Sequence, residues 1–336
     1  MQPSDESPNI IKEIDNVILS NLNNNMIWDY SNNKKKLVHY TSAIVAREII
    51  EKEQLWLRKT TFMNDYSEIT YGKQYLENLF HEKEISSILN NILNRFSYVT
   101  NNLIDFNEIY HQIIKDAEKK IYISCLSEHL PEEDTIGRLS MWRAYGNSSG
   151  VALVINPILL AKLTSLFIPS PVIYSKEKVK KNFIKILKNI NDVIKNNFKD
   201  IQKSDALLKR IMLSLSYVIY IYVITLKHQG FWEEREWRII LSLFFPKLIF
   251  SAIASKKIER SIENIKGNPE VIYKLNLKKF SFINPKGESF LEKIIIGPNA
   301  NAELLVESFS EMLKNKGFNN KQIKNMITVS NIPLRY

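Results

Sequence analysis

Residues 231–240, FWEEREWRII, gather the side chains of this chain most able to do chemistry. Glu233, Glu234 and Glu236 stand with Arg235 and Arg238 among two tryptophans and a closing isoleucine pair. A solvated helix has no need of Trp232 and Trp237, and a buried strand does not tolerate unpaired charges. Read as a strand over 234–240, alternation puts Glu234, Glu236, Arg238 and Ile240 on one face and Arg235, Trp237 and Ile239 on the other. Such a face suits a cleft wall, where Arg238 holds one carboxylate ionised and leaves the other for a ligand. Two other readings stand beside it. As a helix, Glu234 and Arg238 make an i,i+4 pair, which the WRII ending argues against. As a strand, EREWR is a buried ion-pair network that only fixes the strand.

Five histidines are present: His39, His81, His111, His129 and His228. His81 and His111 fall in helical stretches and read as surface residues. His39 lies mid-strand in HYTS, just before a capped helix, so it faces either a functional cleft or a core that satisfies it. In FMNDYSE, Asn64 and Asp65 read as turn residues capping the next helix, or Asp65 and Glu68 line the same cleft. In MWRAYG, Trp142 and Tyr145 either pack in the core or stack on a ligand ring. Cys125 reads as a buried thiol. The sequence has no Gly-rich phosphate loop, no paired Cys or His at metal-ligand spacing and no nucleophile elbow, so no metal is expected.

The elements that position these residues follow from periodicity. Leu37–Tyr40 reads as a strand, with Thr41/Ser42 capping a helix over Ala43–Lys52. QLWLRKT alternates as a second strand, and helical patterning runs from Glu68 to Phe80. Ile85–Phe96 and Leu103–Ile114 carry amphipathic stripes. Strands are expected at KIYISCLSE, Val151–Ile155, SPVIYS, Trp237–Leu243, Val271–Leu277, Ile294–Ile296 and MITVS, with a helix at Ala302–Asn315. A long helix spans Val179–Ile201, followed by a core helix at 211–226. The expected fold class is α+β, a mixed and largely antiparallel sheet with helical insertions. Residues 1–33 form a polar extension, and 34–336 form a single domain with a basic helical insertion at about 175–228.

The 336 residues are 45% apolar and 24% charged, enough to bury a sizeable core. One cysteine excludes an internal disulfide and, with no signal-like start, points to a cytoplasmic protein. The apolar run 211–226 falls short of the roughly 20 residues that span a bilayer, so no membrane partner is expected. The net charge of +10 is uneven: 176–210 carries eleven Lys/Arg against Glu177, Asp192, Asp200 and Asp205, a local +7. This is a solvated lysine-rich helix face, or a nucleic-acid surface through Lys178, Lys180, Lys181, Lys185 and Lys188.

The ordered motifs HYTS (39–42), FMNDYSE (62–68), ISCLSE (123–128), MWRAYGNSSGVALVI (141–155), KHQGFWEEREWRII (227–240) and EKIIIGP (292–298) resemble a bacterial family known as domain of unknown function 2971. The layout is similar to a remote ADP-ribosyltransferase fold, with an early strand bearing His, a middle aromatic–Ser element and a late strand bearing Glu. The resemblance implies NAD as substrate. Glu236 or Glu234 would stabilise the oxocarbenium-like ribose, His39 and Thr41 would anchor it, and Tyr40 would join the substrate-binding set. Tyr145 or Trp142 would stack on a ring, and Arg58 or Arg143 would meet the pyrophosphate. Asn64, Asp65 and Arg238 complete the expected ligand-binding set. The usual Gly after the early His is absent here.

The expected function is an NAD-cleaving transferase or glycohydrolase acting as a bacterial toxin or antiphage effector. One alternative is a nucleic-acid binder or nuclease in which the basic 176–210 helix grips phosphates while Glu234, Glu236 and Asp65 act, a carboxylate-only site that would suit Mg²⁺. A second is a non-enzymatic sensor that binds a nucleotide or a partner protein.

Overall fold

The computed structural model describes residues 9, 10, 12–14, 16, 17, 36–60, 66–100, 110–112, 114, 115, 119–146, 149–156, 167–201, 205–243, 253, 255–265, 267–299 and 301–333. Asn64 and Asp65 lie outside them, as does most of the stripe at Leu103–Ile114. The chain forms two compact units: Met1–Asn25, Met63–Lys119 and Val172–Gly230 make one, and Met26–Phe62, Lys120–Pro171 and Phe231–Tyr336 the other.

The second unit holds the described strands: β1 (Lys36–Ser42), β2 (Gln54–Lys59), β3 (Ile121–His129), β4 (Gly150–Ile155), β5 (Phe167–Pro171), β6 (Glu236–Ser242), β7 (Ile258–Ile265), β8 (Asn268–Asn276), β9 (Leu291–Ile296) and β10 (Ile327–Val329). Their order is β10-β9-β4-β1-β3-β2-β8-β7, with β6 also beside β3 and β5 beyond β6. β9 and β10 pair in parallel and the rest antiparallel, which makes this an α+β protein with a mixed, mostly antiparallel sheet. β3 is the branch point. One edge pairs with β6 along its length, while the other meets β1 at Ser127–His129 and β2 at Tyr122–Ile123. Between those contacts β1 and β2 diverge.

Alternation sends two residue sets to opposite faces. Leu37, Leu153, Leu126, Trp237, Ile239 and Leu241 enter the larger core, against which Phe309 and Leu313 of the helix Ala302–Asn315 also pack. Val38, Tyr40, Ala152, Val154 and Ile295 form a smaller core with Met141 and Trp142 on the other face. After β1, Ser42 caps the helix Ala43–Lys52 by accepting from the Val45 N–H at 3.4 Å.

The first unit is helical, with Tyr66–Phe80, Lys83–Thr100, Lys176–Asn196 and Asp205–Thr225. The last is buried over Val218–Thr225, as its apolar sequence requires, and its Val223 carbonyl approaches Gly72 so closely that a side chain there would collide. No helix among the described residues is long and apolar enough to cross a membrane.

Three elements differ from what periodicity leads one to expect. SPVIYS is not a full strand: β5 lies at Phe167–Pro171, and Ile173 makes only an isolated bridge to Leu226. β7 (IERSIENI) carries no strand signal, since five of its eight residues are polar, and among the described strands it pairs only with β8. The late strand begins at Glu236 rather than at 234, for a reason that lies in the site.

Candidate functional site

The segment before β6 is a 3-10 turn, Gln229–Glu234, and Arg235 then takes a left-handed conformation (φ 42°). A non-glycine residue in that region is held against a local cost of order 1 kcal/mol or more. Tertiary bonds hold it. The Arg235 carbonyl accepts from Glu128 N–H at 2.9 Å, and the Glu234 carbonyl from Ser127 Oγ at 2.5 Å. The kink therefore separates the two carboxylates that a regular strand would align.

Glu236 and Arg238 share one face of β6 and are buried, at 6% and 3% exposure. Their pairing is bidentate, Nε to Oε1 at 2.7 Å and Nη2 to Oε2 at 3.0 Å. Across the ladder they lie opposite Ser127 and Cys125 of β3, and Ser170 of β5 also faces Arg238. Cys125 is half-buried and in no disulfide. Glu234 stays half-buried on the turn, where the Tyr145 hydroxyl donates to its Oε2 at 3.5 Å. Phe231 and Trp232 are exposed on the same turn.

Tyr145 arrives on a π-helical turn, Trp142–Gly146, a geometry frequent at functional positions. The wide turn buries Trp142 completely while leaving Arg143 and Tyr145 exposed. Trp142 packs edge-on against Tyr40 at 4.9 Å and donates its Nε1 proton to the Ile136 carbonyl at 2.9 Å. Its ring is core, whereas Tyr145 is 38% exposed.

Arg138, unmarked by any sequence pattern, is the hub of this region. Its guanidinium donates to both Glu133 carboxylate oxygens at 2.6 and 2.9 Å and to Ser127 Oγ at 2.8 Å. It also reaches the carbonyls of Glu128, Glu233 and Glu234, so one side chain ties β3 to the 3-10 turn. Its backbone N–H donates to Tyr40 Oη at 2.9 Å. Burial, reinforced by the Glu133 charge, pushes the Tyr40 hydroxyl well above its ordinary pKa, which keeps it neutral. The available signal was the LPEE turn: Glu133 caps it by accepting from Leu130 N–H at 3.0 Å and so stands ready for a cation.

The register divides the early-strand candidates. Val38 pairs with Ser127, which pairs with Glu236, so Tyr40 shares the Glu236 face. His39 and Thr41 point to the opposite one, with Leu37 and Leu153. His39 instead closes the divergence of β1 and β2: its Nδ1 lies 2.9 Å from the Cys125 carbonyl, past the last β1–β3 pair. Since a carbonyl only accepts, Nδ1 carries the proton, and burial lowers the pKa so that the ring is neutral. Arg58 is engaged by the Glu270 carboxylate, Nε at 3.1 Å and Nη2 at 2.9 Å. Arg143 makes no ion pair among the described residues and is the exposed cation of the group.

Among the described residues no three His, Cys, Asp or Glu side chains cluster to hold a metal ion. Fold and geometry thus define an α+β protein with a branched sheet, a buried Glu–Arg pair and an aromatic–carboxylate rim. Residues 141–239 match the model of the family described as protein of unknown function (DUF2971), a stretch that spans the π turn, β4, β5 and most of the EREWRII motif. Tyr145, Glu234, Glu236 and Arg238 all fall inside the matched stretch. Comparisons with curated proteins and with solved structures gave no match.

Proposed function

We propose that this protein binds NAD at the Tyr145–Glu234 rim and cleaves the bond between nicotinamide and ribose. The observation that carries the reading is the division of labour between two carboxylates two residues apart. Glu236 is locked by Arg238, whereas Glu234 is half-buried beside an exposed aromatic ring. As the C–N bond breaks, its electron pair leaves with neutral nicotinamide, and positive charge develops on the ribose carbon. A carboxylate beside that carbon stabilises the charge. Glu234 takes that role, Tyr145 offers a ring face, and Arg143 faces the pyrophosphate. Water or a macromolecular nucleophile then captures the ribose carbon and loses its proton. Glu236, Arg238 and Arg138 position the turn and touch no ligand. The resemblance in layout to the ADP-ribosyltransferase fold agrees with this reading, since the early and late strands both adjoin β3. A toxin or antiphage role suits such an activity.

The test is nicotinamide release from NAD by the purified chain and by Glu234→Gln, with melting temperatures for both. Release by the parent and none by an equally stable variant supports the reading. Release that survives the substitution removes Glu234 from the mechanism, and calorimetry showing no heat of NAD binding removes NAD.

A further inference from the structure

The basic helix Lys176–Asn196 belongs to the helical unit and has no part in the rim. Val179, Phe183, Ile186, Leu187, Ile190, Val193 and Ile194 are buried, and Ile184 is half-buried. Arg95 from the helix Lys83–Thr100 anchors it by donating to Asn191 Oδ1 at 2.9 Å. On the opposite side Lys178, Lys181, Lys185, Lys188 and Lys195 are exposed, and their spacing of 3, 4, 3 and 7 residues puts them in one stripe. At 1.5 Å per residue the stripe runs about 26 Å along the helix. Glu177 and Asp192 are the acids on its margin and within it. Lys188 pairs with Glu84 at 2.6 Å and Lys180, beside the stripe, with Glu82 at 2.5 Å. Lys178, Lys181, Lys185 and Lys195 make no ion pair among the described residues.

We infer that this stripe binds the phosphate backbone of a duplex nucleic acid without reading its sequence. Charge sets the sign of the partner, and three further features narrow its class. The apolar face is packed inside the unit and no large hydrophobic residue of the helix is exposed, so it has nothing to insert into a bilayer. The stripe has no exposed aromatic side chain on which unpaired bases could stack. Its cations are lysines alone, without Arg, the side chain that most often pairs with base edges. What remains is a rigid row of flexible cations. Over about 26 Å a duplex offers roughly 15 phosphate charges, so each lysine finds a partner in any register.

The experiment is fluorescence anisotropy of a short labelled duplex DNA of mixed sequence, titrated with the full chain at several salt concentrations. Four free lysines predict a slope of log K against log salt of about −3.6. Lys178→Gln, Lys181→Gln and Lys185→Gln together should flatten it by about 2.7. A control triple, Lys278→Gln, Lys279→Gln and Lys286→Gln, removes the same charge from exposed positions of the other unit and should leave it unchanged. All six positions are exposed, and matching circular dichroism checks that both triples fold. Equal flattening by both triples would mean that bulk charge does the binding and would overturn the inference. So would a parent that fails to bind duplex at low salt, or one whose stripe-dependent binding is to phosphatidylserine vesicles instead.

Discussion

Truncating Glu236 is the sharpest probe of how the kinked motif is held. Glu236→Ala leaves the Arg238 guanidinium, 3% exposed, without the carboxylate that meets two of its nitrogens at 2.7 and 3.0 Å. Removing one partner of a buried ion pair costs about 3–5 kcal/mol. For a unit of roughly 200 residues this lowers the melting temperature by about 6–20 °C. Glu236→Gln keeps the shape and one acceptor oxygen, so its cost falls to about 1.5–3 kcal/mol. Replacing both partners, Glu236→Met with Arg238→Met, removes both desolvation penalties and should restore stability to within about 2 kcal/mol of the parent. Urea unfolding followed by tryptophan fluorescence reads all three, because Trp237 lies between the pair in sequence and is buried. A cost below about 1 kcal/mol for Glu236→Ala would refute the reasoning, as would a double variant less stable than either single one.

Two further outcomes follow from the same face of the sheet and its edge. Gly137 has φ 68°, and a Cβ there would stand 2.5 Å from the Trp142 ring, which burial and its bond to Ile136 prevent from yielding. Gly137→Ala should therefore cost about 2–5 kcal/mol, from the left-handed backbone and the displaced ring together, with a changed near-UV tryptophan signal. For His39, burial lowers the pKa below the value near 6.5 of an unfolded histidine. Between those two values the unfolded chain binds a proton that the folded one does not, so stability falls as pH drops below about 6.5, by up to about 1.4 kcal/mol per unit. His129, also lowered by burial, acts with the same sign. His39→Gln should shallow the fall, and an unaltered pH profile of melting temperature would exclude His39 as its source.

The sequence by itself determined what periodicity encodes. The α+β class, the capped helix after HYTS, the long basic helix and the alternation of Trp237 and Ile239 against Glu236 and Arg238 were all legible, because each depends on neighbours a few residues away. The Glu236–Arg238 pairing was legible for the same reason, as i,i+2 residues of a strand share a face. The rest was decided by contacts distant in the chain. Arg138 gathers Ser127, Glu128, Glu133, Glu233 and Glu234, and no local spacing announces a partnership across 95 residues. That network fixes the left-handed Arg235 and so parts Glu234 from the strand, which alternation alone had kept in line. Register, too, belongs to the tertiary structure. A one-residue step separates Tyr40, facing Glu236, from His39, facing away. Only the pairing of Val38 with Ser127 determines which of them it is, since a strand's two faces are equivalent until a neighbouring strand fixes them.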